Sequence, residues 1–276
     1  MNNASGRDIE QADAKRVDEA MALIQRSSYA EAIQILLSVV RNTPKNYRHT
    51  TVENDALYMR FWDQSEFVNF VQKAPPSQNT YWLISAYPRA YYYLGFVSVA
   101  EGRFQDAIEY LDTGALLEPT NPRFMTEKAH ALTKCGRFPE ALAALEGIAG
   151  PGPHVSEDMF ALVLRARGAS LIELGDLDSA EKTFASSLEF APNNKVALNE
   201  IQYIRQLEAS GKRATSSMAS KVTQAEGVVV CKACGAKNVS GSFFGVTGDR
   251  RSFICDKCKL GQSEVVSSKK SWQFWK

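Results

Sequence analysis

The chain has 276 residues, 45% of them hydrophobic, and a formal net charge of +1. That length and ordinary apolar content support a sizeable core in one large or two small domains. No apolar run approaches the length needed to cross a bilayer, and the polar start MNNASGRDIEQADAKR lacks the apolar core of a secretory signal, so a cytoplasmic protein without a transmembrane segment is expected. The charge is unevenly spread. Residues 1–206 hold 20 Lys and Arg against 26 Asp and Glu, whereas 207–276 hold 12 against 5, so an acidic part precedes a basic one.

Residues 1–12 have no pattern and are expected to be a disordered lead-in. In 13–46, Ala20, Leu23, Ala32, Leu36 and Val39 fall at helical spacing, with Ser27-Ser28 at a turn and Pro44 as a stop. Residues 47–87 interrupt this with Tyr58, Phe61, Trp62, Phe67, Phe70, Tyr81 and Trp82 around Pro75-Pro76. The spacing in DALYMRFWDQSEFVNFVQKA still reads as helical. The segment is either a degenerate hairpin filling a gap or an aromatic insertion that forms a docking surface.

The clearest unit is 88–121. Tyr91, Leu94, Gly95 and Ser98 share one helical face, Gly102 ends the helix in a left-handed backbone, and Ala107, Leu111 and Gly114 form the facing stripe before Pro119. Gly95 and Ala107 let two helices approach closely while Tyr91 and Leu111 fill the wider gaps. In 122–155 the corresponding residues are Met125, Ala129, Leu132, Gly136, Ala141, Leu145 and Pro153; in 161–194 they are Leu164, Gly168, Leu171, Gly175, Ala180, Phe184 and Pro192. Residues 195–208 carry Val196, Leu198, Ile201, Ile204 and Leu207 mostly on one face and read as a capping helix.

The order aromatic-x2-Leu-Gly, then Gly, Ala, bulky, small and Pro over one repeat, met in 88–121 and fitted by 13–46, 122–155 and 161–194, resembles the tetratricopeptide repeat. The resemblance implies an all-α solenoid of antiparallel helix hairpins that binds a protein or peptide and performs no chemistry. It also implies that the first helices line a groove, with Arg89, Tyr92 and Phe96, then Arg123, Thr126, His130 and Lys134, then Arg165 facing into it. Such a groove suits a partner segment with acidic residues and an apolar anchor, because Arg pairs bidentately with carboxylate. The Lys/Asn clamp of chaperone-binding members is not reproduced, so capture of chaperone C-termini is not expected.

Residues 209–226 are small, polar and unpatterned and read as a linker. In 227–265, Cys231, Cys234, Cys255 and Cys258 form C-x2-C-x20-C-x2-C around the β-prone runs SFFGV and RRSFIC. Two residues between thiols let one tight turn aim both sulfurs at one ion, and two such knuckles give the tetrahedral S4 set that zinc accepts. This resembles a zinc ribbon holding one structural Zn2+, with all four positions filled and none open for catalysis. The alternative is disulfides or redox C-x2-C pairs, which normally open a helix in a βαβ unit. Repeats joined to a four-cysteine module also resemble, in architecture alone, bacterial assembly regulators that carry a rubredoxin-type domain.

Lys232, Lys237, Arg250, Arg251, Lys257 and Lys259 alternate with Phe243, Phe244 and Phe253, and Trp272, Phe274 and Trp275 lie in the basic tail 266–276. A second function class is therefore a nucleic-acid-associated factor, since basic residues with stacking aromatics can hold single strands. His49, His130 and His154 are scattered, Cys135 stands alone, and no nucleophile elbow, phosphate loop or HExxH is present. No catalytic residues are expected.

Overall fold

The computed structural model describes residues 6–209 and the backbone of 241–247 and 250–255. Helices α1 (Gly6–Gln25) and α2 (Tyr29–Val40) form the first hairpin. Because α1 begins at Gly6, the expected lead-in is corrected over 6–12. Its anchor comes from far along the chain: the Glu10 carboxylate accepts from Arg60 Nε at 2.9 Å, and Asp13 accepts from Asn42 Nδ2 at 2.9 Å. Both acids are buried.

After α2 the chain leaves the helical pattern. Strand β1 (Thr50–Glu53) pairs antiparallel with β2 (Ala56–Phe61), helix α3 (Gln64–Lys73) crosses over, and β3 (Thr80–Ile84) pairs parallel with β2. The helical reading of 47–87 holds for α3 and fails for the strands on either side of it, so the solenoid is not purely all-α. The physical reason lies at Asn54 and Asp55, with φ of 49° and 58°. A two-residue hairpin turn of the I′ type needs left-handed backbone at both central positions, and Asn and Asp tolerate it. Thr50, Thr51 and Val52 before the turn are β-branched and favour a strand. Asp63 then caps α3 by accepting from the Glu66 N–H at 3.0 Å, and Glu66 reaches back one residue past the cap to accept from the Trp62 N–H at 3.0 Å.

Regular hairpins resume with α4 (Tyr87–Ala100) and α5 (Phe104–Leu117), α6 (Pro122–Lys134) and α7 (Phe138–Glu146), then α8 (Glu157–Leu174) and α9 (Leu177–Phe190); α10 (Lys195–Ala209) follows. Each second helix packs on the next first helix, and α1, α4, α6 and α8 touch one another in succession. The first helices therefore make one continuous layer. Helix α10 lies on α9, where Ala197, Ile201 and Ile204 bury against the Leu177–Phe184 cluster.

The hairpins close because small residues face large ones. A Cβ added at Gly95 would lie 2.6 Å from Leu111 Cγ, and one at Gly168 would lie 2.6 Å from Phe184 Cε2. Leu111 and Phe184 are completely buried. Three buried clusters follow in order: α1, α2 and α4; then α5 to α8; then α9 and α10. Trp62, from the sheet segment, belongs to the middle cluster. Apart from the solenoid, β4 (Gly241–Thr247) and β5 (Arg250–Cys255) pair as an antiparallel ladder with an irregularity between Phe244 and Val246.

Gly95→Ala tests the close approach. Intrinsic helix propensity favours Ala by about 1 kcal/mol, yet overpacking against a buried Leu costs about 1–3 kcal/mol. The expected outcome is a net loss of stability in urea denaturation, with the m-value unchanged.

Candidate functional site

The layer of first helices is the face on which a partner groove was expected. Its N-terminal half is already occupied. Trp62, at the end of β2, is 8% exposed and meets Tyr92 edge-on at 5.0 Å and Phe124 at 6.0 Å between ring centroids. The Arg123 guanidinium lies 4.7 Å from the indole centroid, within cation–π range, and also pairs with Glu66 of α3. Burial works against the Arg123 charge, but the Glu66 carboxylate, with Asp63 beyond it, outweighs burial and holds the group more firmly protonated. Arg89 is buried and pairs with Asp18 of α1. Thr126 is 2% exposed, its hydroxyl donating to the Arg123 carbonyl at 2.9 Å. Phe96 is half-buried against the N-terminal cluster.

Arg89, Tyr92, Arg123 and Thr126 are the residues expected to line the first half of the groove. Each is engaged by the chain itself, through residues whose nearness no local pattern announces.

Glu118, the C-cap of α5, is the hub of the occupied half. It is 3% exposed, and its Oε2 accepts the Trp62 indole N–H at 2.8 Å while Oε1 accepts from Asn121 Nδ2 at 3.1 Å. His49 Nε2 lies 3.6 Å from Oε1. Beside it, the His154 ring is 6.3 Å from His49, 5.0 Å from Phe70 and stacked on Phe61 at 6.2 Å. Burial, and then neighbouring His49, push the His154 imidazole below its ordinary range, with Glu118 pulling the other way. Asn69 Nδ2 adds bonds to the Gly152 and Pro153 carbonyls at 3.1 and 2.9 Å, so the loop between α7 and α8 holds α3 in place. The two histidines are scattered in sequence yet adjacent in space. The only sequence hint was that His154 sits in the loop interrupting the repeats.

The C-terminal half of the face has no such cover among the described residues. His130 is half-buried with Nδ1 3.4 Å from the buried Glu127 carboxylate. Lys134 is exposed and interacts electrostatically with Glu173. Arg165 on α8 is half-buried, and its Nε and Nη1 are buried without an acceptor among the described residues. Burial lowers its affinity for the proton, opposed by Asp158 about two turns earlier on α8. A buried guanidinium donor without an acceptor carries a desolvation cost that a carboxylate could relieve.

Cys231, Cys234 and Cys258 lie outside the described residues, as does the side chain of Cys255; the backbone of Cys255 ends β5 opposite Gly241. The basic and aromatic residues of 266–276 also lie outside them. Among the described residues no helix is long and apolar enough to cross a membrane.

Residues 98–166, from α4 into α8, match the family model of the tetratricopeptide repeat. No curated protein sequence matches the chain. Among solved structures, the first TPR domain of human RPAP3 is 25% identical, covering 46% of this chain and 96% of that one with a TM-score of 0.40. The first TPR of Spaghetti (RPAP3), solved with the HSP90 peptide SRMEEVD, is 26% identical over 44% and 93%, TM-score 0.38. MamA, residues 41 to its end, from Desulfovibrio magneticus RS-1 is 16% identical over 78% and 98%, TM-score 0.46.

The His154 environment gives a pH dependence. Its folded-state affinity for a proton is depressed, so unfolded chains take up that proton first, and stability falls as pH drops through about 6.5, the ordinary histidine value. Thermal denaturation between pH 7 and about 5.5 is expected to show this slope in the wild type and to lose it in His154→Phe. Comparing the two also cancels the opposite drift from Glu10, whose burial-raised carboxyl returns stability as pH falls.

Proposed function

We propose that this chain is a non-enzymatic protein-interaction scaffold. Its first-helix face takes an extended partner segment bearing a carboxylate and an apolar residue, and its C-terminal module holds one structural zinc ion. The observation that carries the first part is Arg165, with two buried guanidinium nitrogens, Nε and Nη1, that lack an acceptor among the described residues on a face otherwise shaped by repeat packing. The match of 98–166 to the tetratricopeptide repeat supports the same reading, since stacked hairpins of this kind present extended binding faces. His130 and Lys134 lie on the neighbouring α6 and would set the approach of the bound acid. Arg89 and Arg123, tied to Asp18 and Glu66, take no part in it.

The test is selection from a displayed random-peptide library on the full chain, followed by fluorescence polarisation of the selected peptides. Peptides carrying Asp or Glu beside an apolar residue are expected. Arg165→Glu should weaken them by about tenfold or more, the worth of one charge-assisted hydrogen bond. Lys182→Glu, an exposed change on α9, should leave them unaltered. Equal binding to Arg165→Glu would rule the face out.

The zinc reading is supported by the donor set, four thiols in two C-x2-C pairs, and by an antiparallel β4–β5 ladder whose second strand ends at Cys255. Cys231, Cys234, Cys255 and Cys258 would hold the ion as thiolates and leave no coordination position open. Metal analysis of the full chain purified under reducing conditions is expected to find a single zinc ion, lost in Cys231→Ser/Cys234→Ser. A metal-free chain with four titratable thiols at these positions would refute it.

A further inference from the structure

The segment from His49 to Ile84 sits on the first-helix face as a ligand would. Its β2 strand is firmly tied, by Arg60 on the buried Glu10 and by the buried Met59 and Phe61, whereas the part from Trp62 through α3 is held by fewer side chains. Trp62 enters the pocket of Tyr92 and Phe124, its indole N–H satisfied by Glu118 at 2.8 Å. Glu66 meets Arg123, and Asn69 and Phe70 reach the loop at 152–154. Helix α3 itself contains no fully buried residue. A ten-residue helix without a buried face is marginal by itself and belongs to the low-stability end of a fold. An open cavity of about 450 Å3 beside it, lined by Phe67, Val68, Val71 and Pro76, shows how loosely its apolar residues are covered. What keeps this part, Trp62 through α3, down is an aromatic anchor and an acid four residues later, set against an aromatic pocket and an arginine.

We infer that this insertion is a cis-acting ligand of the N-terminal half of the face, and that an external partner for this half is an acidic segment carrying an aromatic residue and a Glu four positions on. The inference rests on the reading of the first-helix layer as a partner-binding face. The insertion and such a partner compete for the Trp62 pocket and for Arg123. A tethered competitor acts at an effective concentration on the order of millimolar, so the half-site is closed to weak partners and opens only to one that outcompetes it or to conditions that lift the insertion. Lifting α3 would also release the contacts of Asn69 and Phe70 with the 152–154 loop, so the cover leaves as one piece.

The probe is a labelled synthetic peptide copying residues 57–72 of this chain, LYMRFWDQSEFVNFVQ. It is titrated into the full-length wild type and into Trp62→Ala/Glu66→Ala, whose helix content is checked by circular dichroism. The double variant, with the cis anchor removed, is expected to bind the peptide at least about tenfold more tightly than the wild type. Adding Arg123→Glu should abolish the gain. Should the double variant not fold, Glu66→Gln alone decides, with an expected gain of about fivefold from loss of one charged contact. A folded variant that binds the peptide no better than the wild type overturns the inference, as does a gain that survives Arg123→Glu. If library peptides bind in an Arg165-dependent way while this peptide binds neither protein, the cis-ligand falls and the partner-binding reading stands. If neither binds, both fall.

Discussion

The buried carboxylate of Glu118 decides how the two parts of this molecule fit together. It stands at the end of α5, inside the hairpin stack, and accepts the indole N–H of a tryptophan delivered from outside that stack. An unpaired carboxylate so deeply placed would be costly, and so would an indole N–H buried without an acceptor. Each removes the penalty of the other, with Asn121 taking the second oxygen. The pairing fixes where β2 ends and therefore where α3 begins. Because Glu66 gives its N–H to the Asp63 cap, accepts the Trp62 N–H and faces Arg123, the helix start and its docking meet at one residue. The sheet segment is thus bound at a specific register rather than merely resting on an apolar surface.

Beneath that contact lies the packing rule of the solenoid. Hydrogen at Gly95 and Gly168 leaves room for Leu111 and Phe184, and the backbones of paired helices come together where a side chain would collide. The same rule joins neighbours, because Phe124 of α6 fills the space left by Gly114 of α5. Phe124 is also the wall against which Trp62 leans. The register of the repeat stack therefore positions the pocket that receives the insertion: a side chain at Gly114 would move Phe124, and moving Phe124 would reshape the seat of the indole.

The hairpins were legible because their signals are local. Gly95, Leu111, Gly168 and Phe184 fall at fixed offsets within single units, and helical periodicity exposes them. The three-stranded sheet was not, although its turn was written in Asn54-Asp55 and its strands in the β-branched run before it. Aromatic residues at Phe61, Phe67 and Phe70 also satisfy a helical spacing, and only the pairing of β2 with β3 across α3 decides between the two. The fate of the groove residues was less accessible still. Whether Arg123 is free depends on Glu66, 57 positions earlier, and whether Arg89 is free depends on Asp18, 71 positions earlier. Such partners appear only when non-local strand pairing and helix stacking are both in place. The cysteine spacing is of the opposite kind, a local pattern from which the metal site is proposed on the sequence alone.

Three arginines stand on successive first helices, Arg89 and Arg123 near the starts of α4 and α6 and Arg165 midway along α8, and their environments divide the face. Arg89 and Arg123 each have a carboxylate, so the charge is neutralised inside the molecule and contributes to holding it together. Arg165 has buried N–H groups with no acceptor among the described residues. What differs, besides the place along the helix, is whether a described part of the chain returns an acid to the guanidinium. Where it does, through α1 or the insertion, the arginine becomes part of the fold. At Arg165 the described residues return no hydrogen-bonding acid, and a carboxylate from elsewhere would relieve the desolvation cost. A repeat array carrying one insertion after its first hairpin therefore acquires two unlike halves, one covered by its own insertion and one whose arginine lacks an acceptor among the described residues.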